Sequence, residues 1–396
     1  MKRIYADNAA TTKISEAAKN AFIDALEVFG NPSSLHTDGV EASRLLNASR
    51  EKIASILGAE PDEIYFTSGG SESDNQALFT MFENGKKKGK TRIISTAVEH
   101  HAILHTLDRL KKEGAEITLC PVDKYGRVDI AEFEKLLGDD VCGVSMMYAN
   151  NEVGTIEPVL EAAKLCNERG IIFHTDAVQA AGQTDIKVHR DGFDMLSLSA
   201  HKFHGPRGIG VLYVRKGIRL YTLISGGAQE KSKRAGTENL PAIAGMAAAL
   251  EEAVNTMDER NAKMTALRDR LIEGMKKIPY SFLTGSAEHR LPGNASFCFE
   301  GIEGESLLLQ MDLRGVAASS GSACTSGSLD PSHVLLACGL PHEIAHGSLR
   351  LTISDENTLE EMDYVCDQCA EVVALLRDMS PVWDKLERGE TKHFVR

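Results

Sequence analysis

Short apolar runs that alternate with helix-patterned stretches constrain this chain more than any other feature. "EIYFTS" (63–68) precedes "ESDNQALFTMFEN", in which Ala77, Leu78, Met81 and Phe82 recur at helical spacing. "RIISTA" (92–97) precedes "HAILHTLDRLKKEG", which stops at Gly114. "EITLCPV", "CGVSMMYA", "GIIFHTDA", "DMLSLSA" and "GIGVLYV" continue the series. Runs of this kind predict parallel strands covered on both faces by helices. Ahead of them, Phe22, Leu26 and Phe29 share a helix face that Gly30-Asn31-Pro32 ends. After about residue 250, "AALEEAVNTMDERNAKMTALRDRLIEGMKKI" predicts one long charged helix bridging two domains. The strands "NASFCFEG" and "SLRLTIS" and two further helices then predict a smaller α+β domain.

Composition narrows the partners. Forty-four Lys and Arg against 57 Asp and Glu give a net charge of −13. DNA or RNA is therefore not the expected partner, since phosphate contacts need clustered cations. The run Lys86-Lys87-Lys88 reads as a solvated helix end. No signal peptide or membrane span is visible, so a cytoplasmic protein is expected. Eight cysteines are too sparse for a disulfide scaffold. Cys366 and Cys369 fall within a helix pattern and read as packing residues rather than as a metal site.

Three segments carry chemistry. "FTSGGSESDN" (66–75) is a strand, a glycine-rich turn and a helix start. Its backbone N–H groups and the Ser71 hydroxyl can hold a phosphate, with Gly69 and Gly70 allowing close approach. Equally, Ser71 can simply cap the helix, with Asp74 three residues on. "IIFHTDAVQAAG" ends a strand on Asp176, followed by Gln179, where ligands bind in open α/β sheets. Here a helix-capping Asp is the competing reading. "SLSAHKFHGP" brings Lys202 to the end of a buried strand. A lysine there can snorkel to water, or it can be a Schiff-base former with a depressed pKa. Together, a phosphate cradle, a carboxylate and a lysine at one sheet end are what pyridoxal 5′-phosphate requires.

Cys324 is different in kind. Five serines and two glycines fill residues 319–328, a composition that predicts a mobile loop and not a packed element. A thiol there is expected to be reactive. Cys120, Cys142, Cys166, Cys298 and Cys338 lie in apolar runs and are expected in the core.

The segments "YADNAATT", "GNPSSLH", "TSGGSESDN", "EHHAI", "NNEVGTIEP", "HTDAVQAAG", "SLSAHKFHGPRGIG", "RAGTEN" and "SSGSACTSGS" run in the order seen in cysteine desulfurases of the NifS/IscS type. The chain resembles that class V, fold-type I family of pyridoxal-phosphate enzymes from about residue 3 to 380. Relatives often have Ala-Thr where this chain has Gly70-Ser71, and the hydroxyl survives. The resemblance implies an α/β fold with a mostly parallel seven-stranded sheet between helices. It implies a large cofactor domain over 13–255, and a small domain over 1–12 and 256–396 that carries the Cys324 loop. It implies that Lys202 holds the cofactor covalently, Asp176 pairs with the ring nitrogen and Gln179 with the ring hydroxyl. His100 would stack on the ring and transfer protons, and Asn151 would lie beside it. Gly70, Ser71, Ser199 and His201 would hold the phosphate, with Thr237 reaching it from the other subunit of a homodimer. Arg350 would grip the substrate carboxylate, assisted by Asn8 and Asn31.

The reaction so implied converts L-cysteine to alanine and leaves a persulfide on Cys324 for an iron–sulfur scaffold or another sulfur acceptor. No resident metal is expected, although Cys324 can transiently share a cluster with a scaffold. The alternatives are a selenocysteine lyase or a class V aminotransferase, and the latter would need no loop cysteine.

Overall fold

The structure is a computed structural model that describes residues 3–321 and 330–394. Twelve strands are present among the described residues: β1 (Ile4–Tyr5), β2 (Ile64–Thr67), β3 (Arg92–Thr96), β4 (Glu116–Cys120), β5 (Val141–Ser145), β6 (Ile172–Asp176), β7 (Met195–Ser199), β8 (Gly210–Val214), β9 (Ser281–Leu283), β10 (Asn294–Phe299), β11 (Val316–Ala317) and β12 (Ser348–Thr352). Seven of them form one sheet in the order β2-β8-β7-β6-β5-β3-β4. Pairing is parallel from β7 through to β4, while β8 runs antiparallel to both β7 and β2. The run "GIGVLYV" is thus the exception to the expected parallel set. It follows β7 after only a short turn, and a parallel neighbour would need a crossover of a dozen residues or more.

Strand alternation divides the core between the two faces of this sheet. Met195 and Leu212 pack with Leu78, Met81 and Phe82 of the helix Gly70–Lys86 on one side. Leu196 and Tyr213 pack on the other side, with the helices Thr37–Leu57 and Leu240–Asn255. Both faces are apolar, so the strands read as nearly continuous hydrophobic runs.

A second apolar core forms around the three-stranded antiparallel sheet β12-β10-β9 and the pair β1-β11. The expected single bridging helix is two. Leu240–Asn255 belongs to the first core, and Met257–Met275 lays Leu267, Leu271 and Met275 into the second. They meet at Thr256, whose hydroxyl turns back onto the Glu252 carbonyl at 2.8 Å. Cys369 is buried in the second core, and the Cys366 thiol faces the Leu271 carbonyl on the neighbouring helix. Cys120, Cys142, Cys166, Cys298 and Cys338 are all buried, as their apolar surroundings predict.

The first helix departs from its expected orientation. Glu16–Leu26 buries Ala18 and Ala25, while Leu26, Phe29 and Leu35 stay exposed. Small residues face inward because this helix packs closely on Leu240–Asn255, itself rich in alanine. Among the described residues, no helix is long and apolar enough to cross a membrane.

Candidate active site

The site gathers at the carboxyl ends of β2, β6 and β7. After β2 the chain turns through Ser68-Gly69 into the helix Gly70–Lys86. Gly69 adopts φ +152°, a conformation side chains disfavour. A Cβ on Gly70 would lie 2.8 Å from Val178 Cγ2 and 3.6 Å from Ser199 Cβ, so this turn, Val178 and Ser199 face one another closely. The helix starts one residue before Ser71, no side chain caps it, and the Ser71 side chain is exposed. The capping reading of Ser71 and Asp74 is thereby replaced: Asp74 is buried under the sheet end, 3.8 Å from His174.

β6 delivers Asp176, 6% exposed, at its last residue. One carboxylate oxygen accepts from the Val178 N–H at 2.9 Å and shapes the following turn. Burial raises the Asp176 carboxyl to about 6, against the opposing pulls of the Val178 N–H and the Lys202 charge. The neighbouring Lys202 charge favours the carboxylate, the form that a partner for a ring N–H must take. His174, two residues earlier and on the same strand face, bonds Ser145 and Ser197 at 2.9 Å each. Burial pushes its imidazole down to about 3, so it stays neutral.

β7 ends at Ser199, and a 3₁₀ turn over Ala200–Lys202 carries His201 and Lys202 outward. The Lys202 ammonium donates to the Ala9 and Ala10 carbonyls at 2.5 and 3.0 Å. Gln179 donates to the same Ala9 carbonyl at 3.0 Å. His201 lies 3.2 Å from the Thr11 hydroxyl. The segment 8–12 thus forms the floor on which Lys202, Gln179 and His201 rest. A cavity lined by Asn8, Ala9, Gln179, Lys202, Asn294 and Thr352 opens beside it.

His100 caps the helix His101–Lys112, its Nδ1 accepting from the Ala102 N–H at 3.1 Å. Its bland role as a helix start and a role at the site coexist. Burial first and the Lys202 charge second lower it to about 4. The neutral ring therefore keeps its hydrogen on Nε2.

Arg350 comes from β12 and is 3% exposed. Its guanidinium donates to Asp7 at 2.8 Å and to the Asn151 carbonyl at 3.1 Å. Its Nε is buried with no partner among the described residues. Asn8 donates to the Thr352 carbonyl at 2.8 Å. Asn31 instead stabilises its own turn, accepting from Ser33 N–H at 2.9 Å. Thr237 is exposed in the loop before Leu240. Cys324 lies outside the described residues.

The site also uses residues that motif reading passes over. Asp7 is the ionic partner of Arg350, and Ala9 and Ala10 act through backbone carbonyls that no side-chain pattern reveals. Glu152, buried, accepts from the Ser332 hydroxyl, and a Cβ on Gly321 would strike its carboxylate. Its burial raises it to about 7, while Ser332 and Arg350 act the other way. Its place within the "NNEVG" motif (150–154) was the only hint at this position.

The donors fit a pyridoxal phosphate. They include a turn without Cβ atoms at the helix start, a buried carboxylate, a lysine amine beside it and an arginine with an orphaned donor. Among the described residues, no group of His, Cys, Asp and Glu could hold a metal ion.

Comparison with known proteins agrees. The profile of the family described as "Aminotransferase class-V" matches residues 4–365. "Cysteine desulfurase IscS" of Methanosarcina thermophila is 49% identical over 385 residues, 97% of this chain and 95% of that one. "Cysteine desulfurase NifS" of Azotobacter vinelandii is 46% identical over 386 residues, 97% of this chain and 96% of that one. Among solved structures, a "NifS-like protein" superimposes with a TM-score of 0.89 at 38% identity, covering 94% of this chain and all of that one.

Proposed function

Since the chain belongs to the aminotransferase class-V family, we propose that it is a pyridoxal-phosphate-dependent cysteine desulfurase that takes sulfur from L-cysteine onto Cys324. The observation that carries this is the meeting of Asp176, Lys202 and the Gly69-Gly70 turn at one sheet end, with Arg350 opposite.

Bound here, the cofactor supplies an electron sink conjugated to the substrate Cα. Asp176 would keep the ring nitrogen protonated, and Gln179 would pair with the ring hydroxyl. Gly70, Ser71, Ser199 and His201 would hold the phosphate through N–H and O–H donors, His201 being neutral because burial and Lys202 lower it to about 4. Asn151 would lie beside the ring, and its carbonyl accepts from Arg350. Arg350 would receive the substrate carboxylate on donors that include the unpartnered Nε, with Asn8 assisting, whereas Asn31 is engaged in its own turn. Lys202, once its amine is free, takes the Cα proton, and the Nε2 hydrogen of His100 is the second proton available to the site. The Cys324 thiolate then attacks the substrate sulfur. The S–Cβ bond breaks with its electron pair left on the three-carbon fragment, the sulfur stays on Cys324 as a persulfide, and the fragment takes up protons from His100 and Lys202 and leaves as alanine.

A division into a 13–255 domain and a domain made of 1–12 and 256–396 is supported by the separate apolar cores of each part, which a smaller cluster joins where Val98, Met147 and Val153 meet Cys298, Val334 and Ile344. A homodimer is supported by the exposed Leu26, Phe29 and Leu35, which leave an apolar face on the single chain. Thr237 would complete the partner's phosphate site. A cytoplasmic sulfur acceptor, of the scaffold type for iron–sulfur cluster assembly, takes the persulfide sulfur.

The test is incubation of the holoenzyme with L-cysteine, followed by alanine assay and the mass of the Cys324 peptide. A gain of one sulfur on that peptide with stoichiometric alanine is expected. Cys324→Ala should still bind cysteine and keep its visible absorbance, but form no persulfide. Unchanged sulfide release by that variant would overturn the role of Cys324.

A further inference from the structure

The turn that begins the phosphate cradle is gripped from outside by one short segment, residues 230–234. Glu230 is 6% exposed and accepts from the Phe66 N–H at 2.9 Å, at the end of β2. The same carboxylate takes both arms of buried Arg50 at 2.9 and 2.6 Å. Arg50 in turn donates to the Ile64 carbonyl at 2.6 Å and stacks on the Phe66 ring. On the far side of the turn, Arg234 binds Glu72 at 2.9 and 3.3 Å, and Glu72 accepts from the Ser68 N–H at 2.8 Å. One helical turn on, Gln76 donates to the Lys233 carbonyl at 3.1 Å. The residues before, within and after the Ser68-Gly69-Gly70 turn are therefore each tied to the same five residues.

That segment is itself held in a conformation it would not choose. Glu230, Lys231 and Ser232 have φ of 44°, 57° and 63°, three consecutive left-handed residues with no glycine among them. Such backbone persists only where its surroundings impose it. Arg50, Phe66 and Asp62 supply the surroundings, the last through Lys231 at 2.6 Å. Three residues past Arg234 the chain reaches Thr237.

We propose that Glu230 and Glu72 are positioning residues for the cofactor phosphate, bracing the cradle and the Thr237 loop into one unit. Neither carboxylate is offered to the phosphate, since both are taken up by arginines and backbone N–H groups. Their role is to fix the N–H vectors of the Gly69-Gly70 turn and, through the same segment, the height of Thr237. In a dimer whose Thr237 serves the opposite site, each cradle would then be braced by the loop that completes its partner. This inference rests on the reading of Gly70 and Ser71 as the phosphate cradle.

The full-length protein, stripped of cofactor and titrated by absorbance, tests it with two ligands that differ only in the phosphate: pyridoxal 5′-phosphate and pyridoxal. Glu72→Gln leaves a more exposed arginine behind than Glu230→Gln does, so it guards against loss of folding. Each variant should bind pyridoxal 5′-phosphate on the order of 10-fold more weakly, as supporting residues behind a binding shell commonly do. Pyridoxal binding should change less than about 2-fold, because Asp176 and Lys202 are untouched. Equal weakening of both ligands, or of neither, would overturn the brace. Should the wild-type protein itself show no preference for the phosphorylated ligand, the cradle reading fails along with it. A wild-type preference retained in both variants removes the brace alone.

Discussion

Arg350 and Asp7 meet at 2.8 Å across the join between the N-terminal segment and β12, and the arginine Nε beside them is buried without a partner among the described residues. A guanidinium half-satisfied by protein is set for a bidentate carboxylate. Asp7 holds the fork in plane and offsets its burial without using every donor. Arg350→Lys keeps the charge and loses the fork. With hydrogen bonds to charged groups worth about 1.5–3 kcal/mol, kcat/KM for L-cysteine should fall roughly 10- to 100-fold, mostly through KM. Steady-state kinetics checks this, and an unchanged KM would remove Arg350 from the substrate site.

Lys202 makes its contacts to the Ala9 and Ala10 carbonyls, which orient the amine without neutralising it. Lys202→Ala should abolish the visible absorbance band of the purified enzyme and stop alanine formation. An unaltered spectrum would show that another amine carries the cofactor.

Gly210, the first residue of β8, bears on the cradle from behind. A Cβ there would lie 2.6 Å from the Gly69 Cα and 2.6 Å from the Leu198 carbonyl oxygen, both backbone atoms that cannot rotate away. Gly210→Ala should destabilise the protein by about 1–3 kcal/mol and weaken cofactor binding, although residue 210 has no part in the chemistry. Urea denaturation and cofactor titration measure the two effects. Full retention of both would mean that the turn has room to move.

Stability should fall as pH rises from 4.5 to about 8, and Glu99 is a main reason. This residue is fully buried, with one oxygen accepting from Thr96 and the Met147 N–H and the other without a partner. Burial raises it from 4.5 to about 8. Below 4.5 both folded and unfolded chains carry the proton, so its contribution is complete. Between 4.5 and 8 only the folded chain keeps it, and stability declines as pH rises through that window. Glu157, also raised to about 8 by burial, acts in the same sense. His174 acts oppositely, costing stability as pH falls from 6.5 towards 3. Glu99→Gln should flatten the alkaline limb, so that its Tm drops about 2 °C or more less than that of the wild type between pH 6 and 9. Parallel thermal melts across that range decide it.

Asp176 and Lys202 were legible in the sequence because a charged residue closing an apolar strand violates burial rules, and the sheet puts both strand ends on one edge. The cradle was legible through its glycines. The direction of β8 was not, since a strand buried on both faces reads the same either way. The orientation of the first helix was also hidden. Phe22 does pack on the core beside Ala18 and Ala25, but Leu26 and Phe29, predicted on the same face, stay exposed, the helix ending at Leu26 before it reaches Phe29. Asp7, Ala9 and Ala10 lay in "YADNAATT" without any chemical pattern to mark them, for two of the three act through backbone carbonyls.

The pairing of Ile4 with Val316, and of Ala6 and Asp7 with Thr352 and Arg350, has a consequence for biosynthesis. β1 must wait for β11, made much later in this chain, before it can hydrogen-bond. Until then the floor beneath Lys202 has no fixed height, and the nascent polypeptide holds a sheet and a cradle but no finished catalyst. The backbone carbonyls that orient the Lys202 amine are thus set only after the sheet that carries Lys202.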